Sequence, residues 1–230
     1  MSTLYHYPLC PHSRFVRLAL GEYGVPFDLA EERVWERRHG FLVLNPAGET
    51  PVLVEPEMPA IAGPGPIAEY LDEEHGPALD ERRLLPAGRA ARIEVRRLLD
   101  WFNRKFYEEV SQPLVHEKVY KRFMPTEIGG GAPEMPALRA AKANVRYHLR
   151  YLGHLLAHRN WLAADRLTYA DLAAAAHLSV VDYLGDVPWD ENEAARAWYA
   201  RLKSRPSFRP LLGEIVRGVT PPPAYADLDF

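Results

Sequence analysis

At Asp80 the pattern of the chain changes. Before it, short β-branched runs alternate with helical periodicity; after it, helical periodicity is all there is. That switch restricts the chain to a small α/β unit followed by an all-α one. Thr3-Leu4-Tyr5-His6-Tyr7 reads as a strand ending at Pro8. A helix follows, with Pro11 suited to its first turn, Val16, Ala19, Leu20 and Tyr23 on one face, and Gly24 able to take the left-handed cap. Pro26 to Ala30 and Pro51 to Glu55 read as two further strands. Ala60-Ile61 gives only a weak signal for a fourth. Pro66 to His75 reads as a second helix, after a glycine-proline loop. The order is βαβ, then ββα.

In the second unit Val95, Leu98, Leu99, Phe102 and Phe106 recur at helical spacing, as do Leu138, Ala141, Val145, Leu149, Leu152 and Leu156. The two stripes need a common core. Pro113 should kink or end the first of these helices, and Pro125 to Pro136, with Gly129-Gly130-Gly131, reads as an irregular loop. Later helices are expected over Tyr169 to Tyr183, Glu191 to Ser204 and Phe208 to Gly218. The predicted domains are residues 1–78, a charged, proline-bounded linker over 79–86, a helical domain over 87–217, and a tail over 218–230.

Charge narrows the function classes. With 28 basic and 31 acidic residues the net charge is −3, which gives no field for nucleic acid or an anionic membrane. Cys10 is the only cysteine, so no intrachain disulfide can form and a reducing compartment is expected. No signal segment and no run of 18 apolar residues is present.

Several motifs carry a family likeness. One is Leu4-Tyr5-x-x-Pro8-x-Cys10-Pro11-x-Ser13-x-x-Val16-Arg17-x-Ala19-Leu20. Others are Asn45-Pro46-Ala47-Gly48-Glu49-Thr50-Pro51 and Pro66-Ile67-Ala68-Glu69-Tyr70-Leu71. A last one is Trp161-Leu162-x-x-Asp165-x-Leu167-Thr168-Tyr169-Ala170-Asp171-Leu172, in which Thr168 and Asp171 have capping-box spacing. Together they resemble the glutathione transferase family. The resemblance implies a thioredoxin-like N-terminal domain with Pro51 cis, a helical C-terminal domain, and a glutathione groove near Cys10, Ser13, Thr50, Pro51, Gly63 and Pro64.

At one place the pattern breaks. The family places an acidic or amide residue and then a serine before the Ile67 helix, and that serine's hydroxyl and N–H hold the γ-glutamyl carboxylate. Here those positions are Gly63 and Pro64, and proline supplies neither donor. Losing two charge-assisted bonds of about 1.5–3 kcal/mol each lowers affinity by roughly 10² to 10⁴. The groove is therefore expected to be degenerate, with no catalytic residue and no cofactor.

Over the whole chain the resemblance is strongest to the bacterial members of the family that act in cell division through FtsZ. It implies a cytoplasmic homodimer at the division site that binds FtsZ filaments and influences their curvature and constriction. A competing reading is a cytosolic transferase or thiol reductase. In it, Cys10, near a helix N-terminus, is the nucleophile and Ser13 assists. The plainer reading makes Cys10 a small apolar residue and Ser13 a helix cap. A third reading is a stress regulator of the same fold that acts by protein contacts.

Two further segments are candidate partner surfaces. The tail, Val219-Thr220-Pro221-Pro222-Pro223-Ala224-Tyr225-Ala226-Asp227-Leu228-Asp229-Phe230, is a stiff proline arm with an alternating apolar and acidic end. It suits either docking to further division proteins through Tyr225, Asp227, Leu228, Asp229 and Phe230, or folding back on its own domain. Trp35 lies among arginines, where it can anchor an interface or pack on its own sheet. Trp101 and Tyr107 fall off their helix's apolar stripe, suiting a domain or dimer contact. His154 and His158 lack a third ligand, so no metal is expected. The arginines between Arg82 and Arg97 are interleaved with acids and read as a solvated face.

Overall fold

The structure is a computed structural model that describes residues 1–228. Its first unit is a four-stranded mixed sheet in the order β2-β1-β3-β4. β1 (Ser2–His6) is parallel to β2 (Phe27–Glu31), with Leu4 opposite Leu29. β3 (Val52–Val54) and the two-residue β4 (Ile61–Ala62) are added antiparallel. α1 (Pro11–Tyr23) connects β1 to β2; α2 (His39–Leu44) and α3 (Pro64–Glu74) flank β3 and β4. This is the thioredoxin-like arrangement expected. α3 begins two residues earlier than the periodicity indicated, because Pro64 has the fixed φ of a first helical residue.

Beyond a short helical turn, α4 (Gly76–Leu79), the chain enters a long continuous helix. It runs through α5 (Arg89–Asp100), a π-helical stretch Trp101–Ser111, α6 (Gln112–Val115), a second π-helical stretch His116–Tyr120, and α7 (Lys121–Phe123). Pro113 therefore neither ends nor breaks it. The carbonyl of Glu109, which an α-helix would pair with the N–H that Pro113 lacks, receives Asn144 Nδ2 at 3.1 Å. The wider π winding gives the pyrrolidine ring room. The following loop is more ordered than its composition indicated. A Cβ on Gly130 would lie 1.9 Å from the Met124 carbonyl oxygen, so only glycine lets the chain fold back there.

α8 (Met135–Leu156), α9 (Tyr169–Tyr183), α10 (Glu193–Lys203) and α11 (Arg209–Leu212) complete the second unit. All of α9 is buried. Its run Ala173-Ala174-Ala175-Ala176 has little side-chain bulk, and α1 packs directly on this helix, joining the two units. The α9 start is held by Asp171. Its Oδ2 accepts the Thr168 N–H at 3.0 Å and hydroxyl at 2.9 Å, while Oδ1 accepts the Leu162 N–H at 2.9 Å and Trp198 Nε1–H at 3.0 Å.

The helix expected over Phe208 to Gly218 stops at Leu212. Tyr183 explains why: its hydroxyl accepts the Val216 N–H at 2.9 Å and donates to the Val219 carbonyl at 2.8 Å, pinning a tight turn. Tertiary hydrogen bonds here outweigh local helical preference.

Candidate functional site

The groove forms where the α1 N-terminus meets the β3 and α3 ends. Cys10 is the α1 N-cap, and Ser13 is not, contrary to its expected role. Ser13 lies inside the first turn, fully buried, and its hydroxyl has no hydrogen-bond partner among the described residues. The Cys10 sulfur accepts the Ser13 N–H at 3.4 Å, and its S–H donates to the Thr50 carbonyl at 3.5 Å. With 6% of its surface exposed, Cys10 is a capping and packing residue more than a presented nucleophile.

Thr50, Gly63 and Pro64 line one cavity of about 300 Å³ with His12, Glu49 and Asn103. The Thr50–Pro51 peptide is cis, and the Pro51 carbonyl accepts the Gly63 N–H at 3.0 Å. Five of the six groove residues thus converge, with Ser13 beneath them. Gly63 sits at φ 91°, ψ 155°, a region essentially reserved for glycine. An acidic or amide side chain would be strained on that backbone. At the helix end itself, Pro64 and Pro66 occupy the first and third positions, so the N–H of Gly65 alone remains among the first three. A helix end with so few free N–H groups is a poor anion site.

Charge reinforces the loss. Among the described residues no lysine or arginine lines this cavity, and Glu49 brings a negative charge to it. Burial holds the His12 imidazole down to about 4, so it is neutral near pH 7. Its Nε2 lies 2.9 Å from the Asn103 carbonyl. Behind it the fully buried His177, its ring held well below the usual range by burial and by the neighbouring His12 and His148, packs at 5.3 Å. Ser111 and Asn103 contact the two ring nitrogens of His177 at 2.9 and 3.3 Å. Motif reading missed His12, His177 and Asn103. His12, one position after the Cys10-Pro11 pair, had a signal in its place at the helix start; the other two had none.

The tail folds back. Pro223–Tyr225 forms a single 3₁₀ turn, and Tyr225 is 1% exposed. Its hydroxyl donates to the Leu211 carbonyl at 3.1 Å and accepts Arg14 Nη1 at 3.0 Å. Arg14, fully buried, also donates to the Pro8 carbonyl at 2.7 Å and to Ser179 Oγ at 3.0 Å, and pairs with Glu214 at 3.5 Å. Tyr225 was expected on the partner-facing side and is instead the anchor of the arm. Asp227 and Leu228 are exposed; Asp229 and Phe230 lie outside the described residues.

Trp35 is half-buried, with its ring centroid 5.4 Å from that of Tyr7 and 5.0 Å from that of Tyr120, so it bridges the sheet domain to the helical one. Tyr107 bridges them too, packing at 4.4 Å on His12, whereas Trp101 stays within the helical domain at 4.4 Å from Tyr151. Among the described residues no His, Cys, Asp or Glu cluster could hold a metal ion, and no helix is long and apolar enough to cross a membrane.

A model described as glutathione S-transferase, N-terminal domain, matches residues 4–81, and one described as glutathione S-transferase, C-terminal domain, matches residues 111–206. The chain is 48% identical to FtsZ-localized protein A of Caulobacter vibrioides, covering 99% of this chain and 98% of that protein. A solved glutathione S-transferase from Sinorhizobium meliloti 1021 is 53% identical, with a TM-score of 0.98 and both chains fully covered. The structure of FzlA from C. crescentus is 48% identical, with a TM-score of 0.91, covering 100% of this chain and 99% of that one.

Proposed function

The chain belongs to the glutathione S-transferase family, and from that premise we propose that it is a non-catalytic member that binds FtsZ filaments. In this reading it regulates bacterial cell division, acting on filament curvature and constriction as a cytoplasmic homodimer at the division site. The observation that carries it is the 48% identity, across 99% of the chain, to a relative named for its localisation with FtsZ.

The groove supports the non-catalytic half. Glutathione is anionic at neutral pH, and here it would meet a cavity without a cation, with Glu49 on its wall and prolines at two of the three first positions of α3. Binding precedes chemistry, so a thiol at Cys10 has no substrate to act on at ordinary concentration. Trp35 and the exposed end of the arm, Asp227 and Leu228, remain the candidate partner surface. A homodimer would set two such surfaces side by side, and the second contact with a filament would then occur at high effective concentration.

Paired binding on the purified protein tests the reading: co-sedimentation with GTP-assembled FtsZ, beside calorimetric titration with glutathione. The expected result is pelleting with filaments and no glutathione binding below millimolar concentration. Micromolar glutathione binding without co-sedimentation would replace this reading with a working transferase.

A further inference from the structure

A second cavity, of about 260 Å³, lies at the other end of α1, between Glu22, the segment around Arg82 and Leu84, and the Trp161 to Leu167 loop. A 13-residue helix puts it ~18 Å from the groove. Its charges are unevenly matched. Glu22 is taken by Arg205, with both contacts at 2.6 Å, and by the Ser207 hydroxyl at 2.5 Å. Arg82 and Arg166, also on its wall, have no carboxylate within ion-pair distance among the described residues. Arg83, one position from Arg82, faces the other way and pairs with Asp72 at 2.6 Å. The Nε of Arg166 is buried without a hydrogen-bond partner among the described residues.

The remaining wall is apolar, made of Leu79, Leu84, Leu167 and one aromatic ring. Trp161 lines the cavity, and the Arg201 guanidinium lies 5.5 Å over its ring. Arg201 is itself fixed on Asn160, at 3.1 Å to Oδ1 and 3.0 Å to the carbonyl. The indole is thus braced before anything binds, which lowers the ordering cost of stacking a planar group on it.

We propose that this cavity binds a small phosphate monoester carrying a planar ring, with Arg82 and Arg166 on the phosphate and Trp161 against the ring. Two unmatched guanidiniums suit the charge of a phosphate monoester near neutral pH, and their forked donors suit its oxygens. At about 260 Å³, a little under the usual small-molecule range, it admits a single small ring and is too small for a peptide helix or a duplex. The assignment is independent of the FtsZ reading.

Calorimetry on the full chain tests it with phenyl phosphate, inorganic phosphate and phenol as probes. Phenyl phosphate should bind with saturable heat, roughly tenfold or more tighter than inorganic phosphate, and phenol should give none. Arg82→Gln, at an exposed position that leaves folding intact, and Arg166→Met should each weaken it by roughly tenfold, the worth of one charge-assisted contact. Trp161→Leu should erase the preference over inorganic phosphate. No saturable heat at millimolar phenyl phosphate, or the same affinity in Arg82→Gln, would overturn the assignment and leave a bridging water on Arg166.

Discussion

The guanidinium of Arg14, with no exposed surface, donates to the hydroxyl of Tyr225 at 3.0 Å, joining positions 211 residues apart. A buried charge is tolerated when its donors are matched, and this one is matched mostly by the second unit and the arm. Tyr225→Phe removes the acceptor and leaves the rest of the ring in place. We expect a loss of about 1–3 kcal/mol, the cost of an unmatched donor to a charged group, read by urea unfolding. Proteolysis at the exposed Arg217 should also quicken as the arm loosens, and unchanged cleavage would argue that the ring alone holds it.

Pro64→Ser returns both an N–H and a hydroxyl to the first position of α3. Glutathione affinity should rise by roughly 10- to 100-fold, the worth of one charge-assisted bond in a cavity that still lacks a cation. Gly63→Glu should not add to this gain, because its backbone at φ 91° strains any side chain. Calorimetry of the single and double variants separates the two effects.

Asp171 accepts four hydrogen bonds, linking the α9 start to Leu162 and Trp198. Asp171→Ala leaves all four donors unmatched inside the core. The expected cost is about 3–5 kcal/mol, enough to lower the melting temperature well beyond the effect of an ordinary surface change. Asp171→Asn, which keeps the shape and one acceptor, should recover part of it in the same thermal scan.

Acid should destabilise the fold before carboxylate protonation explains it. Burial, aided by Arg17 and Arg14, holds His6 down to about 3, and burial holds His12 down to about 4. Both are neutral when folded and take a proton when unfolded below about pH 6.5, so the unfolded chain binds more protons and stability falls as pH drops through that window. Asp182 acts in the opposite sense. Burial pushes it up to about 6, against the hydrogen bonds from Trp189 and Tyr199 and the charge of Lys203, so it favours the fold between about pH 6 and 4. His177 and His148, also held below the usual range by burial, act in the same direction, so the histidines outweigh the one carboxyl and the net loss from pH 7 to 4.5 should be at least about 3 kcal/mol. Urea titrations across this range check it, and His12→Asn should flatten the slope between about pH 6.5 and 4.5.

What the sequence disclosed was local. The α1 face of Val16, Ala19 and Leu20, the α8 stripe from Leu138 to Leu156, and the Thr168 to Asp171 cap are set by residues a few positions apart, and all stand where spacing placed them. Thr50, Gly63 and Pro64 meet in one cavity because the family motifs mark strand and helix ends. Long-range partners decide the rest. Pro113 sits within a continuing helix because Asn144, on α8, meets the carbonyl it leaves. Tyr183 stops the last helix, and Arg14 turns Tyr225 inward. Asn103 joins the groove and His177 backs it from the helical domain, where no spacing links them to Cys10.

Synthesis order gives the buried Arg14 a further meaning. Of its partners, only the Pro8 carbonyl leaves the ribosome early; Ser179, Glu214 and Tyr225 all come in the last quarter of the chain. Until they emerge, burying that guanidinium is too costly, and α1 cannot close onto a helical unit that does not yet exist. An interrupted product therefore keeps a charged, open seam along α1 that proteases and chaperones can recognise. The seam can seal only after Ser179 and Tyr225 have emerged, so closure of the domain interface waits on residues 165 and 211 positions downstream of Arg14.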